Sequence, residues 1–153
     1  MPKIHQANWQ PISQMPLIAR MIDTSLNDTR EHLGTLSKAK DRPHVLEDAT
    51  IDRVEQVHTE QMDYVEIYTR QISRWRNEKP SAAQARELNR MDSQNQQLRR
   101  LTADVLALAS ELRKGHHRVR IGDGRPRTRS PIPPRQAIPK LRLSPYTILR
   151  AIR

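Results

Sequence analysis

The chain has 153 residues, of which 35% are apolar and 3% aromatic, with no Phe. That apolar share lies below the roughly 45–50% of ordinary globular chains, which argues against a thick core and favours thin helical packing, each element burying one stripe. There is no Cys, which excludes disulfides and the commonest zinc ligands.

The formal charge of +10 is unevenly placed. Residues 115–153 hold ten Lys and Arg against one acid, Asp123, leaving 17 bases and 16 acids in residues 1–114. A nearly neutral body is therefore joined to a basic extension. The N-terminus has no apolar run like that of a signal peptide. The longest apolar stretch, 105–109, is far short of the ~20 residues of a membrane span. A cytoplasmic protein with no membrane partner is the expectation.

In chain order, residues 1–12 carry Pro2, Pro11 and an isolated Trp9 and predict an irregular arm, with Trp9 folded back onto a helix. A first helix is predicted over 14–39. Ser13 can cap it, and Pro16 is tolerated in a first turn, where N–H groups lack intrahelical partners. Its apolar positions alternate four and three: Met15, Ala19, Ile22, Leu26, Thr29, Leu33 and Leu36. This is a heptad-type, coiled-coil seam with one polar member, Thr29. Gly34 weakens its later part by ~1 kcal/mol relative to Ala, and the stretch through Pro43 ends it.

A second helix is predicted over 50–78, with Asp48 or Thr50 at its cap. Its stripe is Ile51, Val54, Val57 or His58, Gln61 or Met62, Val65, Tyr68, Ile72 and Trp75. Pro80 ends it, because proline disfavours helical geometry in the residue before it. A third helix is predicted over 81–114. Ser81 and Gln84 form a capping box, in which each side chain accepts from the other's backbone N–H. The stripe is Leu88, Met91, Asn95, Leu98, Thr102, Val105, Ala109 and Leu112, widened by Leu101, Leu106 and Leu108. Arg113 and Lys114 suit the negative end of the helix dipole, and Gly115 is placed as a left-handed cap.

The short link makes the second and third helices an antiparallel hairpin, with arms of about 45 Å at 1.5 Å per residue. The two stripes then agree in register. Ile72 faces Leu88, Tyr68 faces Met91, Val65 faces Asn95, Gln61 or Met62 faces Leu98, Val54 faces Val105, and Ile51 faces Leu108 or Ala109. The broad face at Leu101, Leu106 and Leu108 still needs cover. The 14–39 helix can supply it, giving a three-helix bundle, or a second copy can, giving a homodimer, and both can hold together. The expected fold is all-α, with an arm at 1–12, a helical body over 13–114, and a disordered tail over 115–153. Six prolines from Pro126 to Pro145 and the high charge deny that tail regular structure.

The candidate sites are few. Glu55 and His58 have the Glu-x-x-His spacing of di-iron bundles. No second such pair exists, so His58 is expected at the seam's flank with an exposed edge, and no metal or other cofactor is expected. Asn95 can fix register if buried; the edge of the seam, with its amide solvated, is the favoured placement. Tyr64, Tyr68 and Trp75 at helical spacing are expected in the core, and His116 and His117 in a solvated linker. No Gly-rich phosphate loop, zinc-protease motif or nucleophile turn is present, so no enzyme is expected.

Two binding readings remain. In the first, the chain is a protein-interaction or oligomerisation module. Its seam (Ile51, Val54, Val65, Tyr68, Ile72, Leu88, Met91, Asn95, Leu98, Val105 and Leu112) then docks a partner helix or another copy. In the second, the basic tail grips nucleic-acid phosphate, with Arg118, Arg120, Arg125, Arg127, Arg129 and Arg135 as contacts. Nine of the tail's ten bases are Arg, a bias that an unselected reading frame of GC-rich DNA also produces, so an extension without a role stays open.

Overall fold

A computed structural model describes the backbone of residues 8–42 and 46–122 and the side chains of residues 8–42 and 46–116. Among these residues there are three long helices and no strand: α1 (Met15–Lys40), α2 (Asp48–Arg76) and α3 (Ala82–Gly122). A 3-10 turn, Ile12–Gln14, leads into α1. The expected disorder of the tail falls, from residue 123 onward, outside the described residues.

The ends of the helices follow local chemistry where the sequence supplies it. Ser81 N–H donates to Gln84 Oε1 at 2.9 Å, and Gln84 N–H to Ser81 Oγ at 3.2 Å, so the capping box forms as predicted. Lys79 takes a left-handed φ of 54° in the turn between α2 and α3, a conformation uncommon outside glycine. Ser13 caps nothing; Pro16 lies in the first turn of α1, and the helix starts from the 3-10 turn instead. Neither Asp48 nor Thr50 caps α2. Glu47 precedes the helix, and its backbone carbonyl accepts from Thr50 and Ile51.

The three helices form one bundle. α1 and α2 each lie along α3 and approach it more extensively than they approach each other. Lys40 pairs with Glu111 and Asp23 with Arg90, so α1 runs parallel to α3. Arg113 pairs with Asp52 and Glu55, and Arg76 with Asp92, so α2 runs antiparallel to α3. Of the two covers the sequence allowed, the chain supplies the first: α1 lies over the hairpin's broad face. Leu26 packs with Val65 and Leu98 and reaches Leu101, while Leu33 and Leu36 join Leu108.

The core falls into three apolar clusters, one at each end and a small one of Leu26, Val65 and Leu98 between them, beside a polar layer. At one end Met15, Ile18 and Ile22 meet Tyr68, Ile72, Trp75, Leu88 and Met91. At the other, Leu36 and Leu46 meet Ile51, Val54, Val105, Ala109 and Leu112. Each large apolar side chain so buried contributes about 1.5–3 kcal/mol. The arm behaves as predicted for Trp9. That ring lies half-buried with the Arg74 guanidinium 4.9 Å above it, a cation–π contact. Next to it, Gln71 and Trp75 hold the Gln10 backbone: Gln10 N–H donates to Gln71 Oε1 at 2.8 Å, and the Trp75 indole N–H to Gln10 O at 2.9 Å.

One helix end departs from expectation. α3 does not stop at Gly115 but continues to Gly122, and no described glycine has a positive φ. The neighbouring helices are the reason. Glu111 is held by Lys40, and His116 Nδ1 lies 2.9 Å from Asp48 Oδ1, so α3 has partners on both sides of Gly115. Together with the packing of Ala109 and Leu112 in the core just before it, these pairs offset the ~1 kcal/mol a helical glycine costs.

Candidate functional site

All eleven predicted seam residues are buried, and they are buried inside this one chain. The predicted register holds at Val65 and Asn95, where Asn95 Nδ2 donates to the Val65 carbonyl at 3.0 Å. Gln61, predicted with Met62 to face Leu98, extends its side chain to Thr102.

Asn95 corrects the expectation of a solvated edge position. It is 2% exposed and gives its second amide hydrogen to Thr69 Oγ1 at 3.0 Å. The Thr69 hydroxyl donates in turn to the Val65 carbonyl at 2.9 Å. A buried amide held this way specifies one pairing of α2 with α3, because a slip leaves it unsatisfied. Asn95 Oδ1 and the Tyr68 hydroxyl are buried with no hydrogen-bond partner among the described residues. Burial pushes the Tyr68 hydroxyl's pKa far up, with Tyr64 beside it adding to the effect, so the phenol stays neutral.

His58 corrects a second expectation. It has no exposed edge, being 1% exposed and turned toward α1, where its Nε2 lies 3.1 Å from His32 Nδ1. The two rings meet edge to face, 5.3 Å between centroids. Glu55, one turn earlier, points elsewhere and holds Arg113, so the Glu-x-x-His spacing does not gather its two members. Among the described residues no group of three or more His, Asp or Glu side chains could hold a metal ion.

The centre of this layer is Gln61. Its Nε2 lies 2.8 Å from Thr29 Oγ1 and 2.6 Å from Thr102 Oγ1, so one amide ties all three helices. Both hydroxyls already donate to the carbonyl one turn back, Ser25 O and Leu98 O, each at 2.7 Å. They can therefore only accept from Gln61. Burial lowers the pKa of both imidazoles, that of His58 to about 4, with the His32 ring as a second cause for His58. Near neutral pH both rings are uncharged.

The sequence carries the parts of this layer in three separate stripes. Thr29, Gln61 and Thr102 are all polar residues at stripe positions, and their coincidence at one height of the bundle emerges only once α1 is placed. His32 lies outside every predicted stripe.

Of the candidate phosphate contacts, Arg118 and Arg120 lie on the continued helix of α3, and Arg125, Arg127, Arg129 and Arg135 lie outside the described residues. His116 pairs with Asp48 and is not the solvated linker residue expected. No helix among the described residues is long and apolar enough to cross a membrane. Comparison of the chain with protein-family models, with curated proteins and with solved structures yields no match.

Proposed function

We propose that the chain is a binding module: the bundle is a scaffold, and the basic segment beyond it contacts nucleic-acid phosphate. One observation carries this reading. α3 stays helical to Gly122, past the His116–Asp48 pair at the start of α2. The helix bearing Arg118 and Arg120 therefore runs beyond the last described pairing with its neighbours and leads directly into the rest of the basic segment. Helix backbone at that point holds the first two arginines of the segment at a fixed distance from the scaffold.

The charge balance supports the same reading. In the bundle many acids and bases neutralise one another, as in Arg113 with Asp52 and Glu55 and Arg99 with Glu66. The net charge resides in residues 115–153. The other binding reading, a seam that docks a partner helix, meets a physical obstacle: α1 occupies the stripe. Among the described residues the exposed large apolar side chains are Leu17 and Ile67, at 39% and 37%, which leaves a second helix little to bury. The polar groups gathered inside the bundle bind mainly one another, which favours a binding role over a catalytic one. A cytoplasmic setting fits a binder of nucleic acid.

The test is binding of the full chain to duplex DNA and to single-stranded RNA across a salt series. If each of the six arginines grips one phosphate, log K falls against log salt with a slope of about −5 on duplex DNA. Replacing Arg118, Arg120, Arg125, Arg127, Arg129 and Arg135 by Gln in the full chain should remove most of that slope and the affinity with it. Unchanged binding by that variant sinks the reading.

A further inference from the structure

We propose that the layer of Thr29, His32, His58, Gln61 and Thr102 is an acid-operated lock between α1 and the hairpin, closed while both imidazoles are neutral and released when one gains a proton. The argument is one of hydrogen counting. Gln61 Nε2 has two hydrogens, and the threonine hydroxyls, committed to Ser25 O and Leu98 O, take them as acceptors. His58 Nδ1 lies 3.5 Å from that same nitrogen, so it faces a donor and cannot itself carry hydrogen. The His58 proton therefore sits on Nε2 and is donated to His32 Nδ1 across 3.1 Å. His32 must then hold its own proton on Nε2.

This arrangement has no place for an additional proton. A cationic His58 carries hydrogen on Nδ1, against the Gln61 amide. A cationic His32 carries hydrogen on Nδ1, so His58 must accept at Nε2 and move its own proton to Nδ1, with the same clash. Either route sets N–H against N–H in a buried layer, or breaks the contact between the rings. Turning the Gln61 amide to accept from His58 takes its N–H groups from both threonines. The surroundings do not rescue the charge. Asp28 and Glu31 on α1 favour a charged His32, but burial opposes it more strongly. On α2, Gln61 is neutral and His32 is the one charge-bearing group that acts on His58. α3 contributes Thr102, also neutral.

The second half of α1 is the part that yields. Beyond Thr29 it is held by Leu33, Leu36 and Ala39, by the exposed hydrogen bond from Arg30 to Gln97 Oε1 at 3.0 Å, and by the exposed Lys40–Glu111 pair. Gly34 adds no side chain, and the space around it is open. The α2–α3 seam keeps Asn95 and the Arg113 pairs, none of which depends on the lock. Release uncovers the stripe around Val54, Val105 and Leu112.

Native-state hydrogen exchange on the full chain tests the lock, with opening constants corrected for the intrinsic pH dependence of exchange. Amides of α1 beyond Thr29 should open about tenfold more per pH unit as pH falls below about 6.5. Amides around Trp75 and Met91 should change far less. The same experiment on His58→Gln should show α1 opening with a much weaker response to pH, the remainder coming from His32. Two results overturn the lock: α1 and the hairpin opening in parallel, or His58→Gln keeping the wild-type response. Should that variant not fold, imidazole nitrogen NMR of the wild-type chain decides. The lock requires neutral His58 with hydrogen on Nε2 wherever α1 is protected, and a protected chain with a proton on His58 Nδ1 overturns it.

Discussion

The cluster around Trp75 and the layer around Gln61 lie in one bundle and are built from opposite materials. The first fills its space with Met15, Ile18, Ile22, Ile72, Trp75, Leu88 and Met91. The second joins Thr29, Gln61, Thr102, His32 and His58 by hydrogen bonds. Apolar burial is non-directional and insensitive to protons. A buried amide or imidazole tolerates one geometry and one protonation state. The Trp75 cluster therefore contributes stability at neutral and mildly acidic pH alike, and the Gln61 layer contributes alignment that is conditional on pH.

The largest expected effect sharpens the first half of that contrast. Trp75→Ala removes a fully buried side chain and one of the two donors to the Gln10 carbonyl, leaving Gln71 Nε2, and should cost about 3–5 kcal/mol in urea unfolding. The loss should be the same at neutral and mildly acidic pH.

Acid should act on the other layer. The folded His58 has its pKa lowered from 6.5 to about 4, so the unfolded chain binds the proton more readily. Its contribution to stability is complete above about pH 6.5 and is lost as pH falls toward 4, by roughly 3 kcal/mol in total. Urea midpoints measured across that window should fall for the wild type and fall far less for His58→Gln, in which His32 alone keeps its lowered pKa. A wild-type midpoint that rises on acidification would break the contrast.

Asn95→Ala should cost about 1–2 kcal/mol, because Val65 O keeps the Thr69 hydroxyl as a donor. Its sharper signature is a loss of unique pairing between α2 and α3, seen as broadened amide resonances along both helices. Smallest of all is Arg99→Ala. The Arg99–Glu66 pair is exposed, so the change in urea midpoint should correspond to less than about 1 kcal/mol and should shrink further in salt.

Much of the fold was legible from spacing. The stripes ending at Trp75 and beginning at Leu88 predicted a hairpin, and the Ser81–Gln84 box predicted where α3 starts, since both depend on residues within a turn or two. Gly115 misled for the same reason: a local signal for a helix end was outvoted by Lys40 and Asp48, which lie far away in sequence. The edge placement of His58 follows from a two-helix count, which leaves one side open, and α1 closes that side through His32; Asn95 is buried against Val65 and Thr69 of α2.

The sequence by itself determined three helices, the antiparallel pairing of two of them, and the concentration of charge in residues 115–153, because periodicity, turn chemistry and composition are local properties. The tertiary structure alone decided that α1 covers the hairpin, that α3 continues through Gly115, and that Thr29, His32, His58, Gln61 and Thr102 share one layer. Those outcomes depend on which side chains meet at the same height of a bundle, and hydrogen-bond geometry across three helices is fixed only when all three are in place.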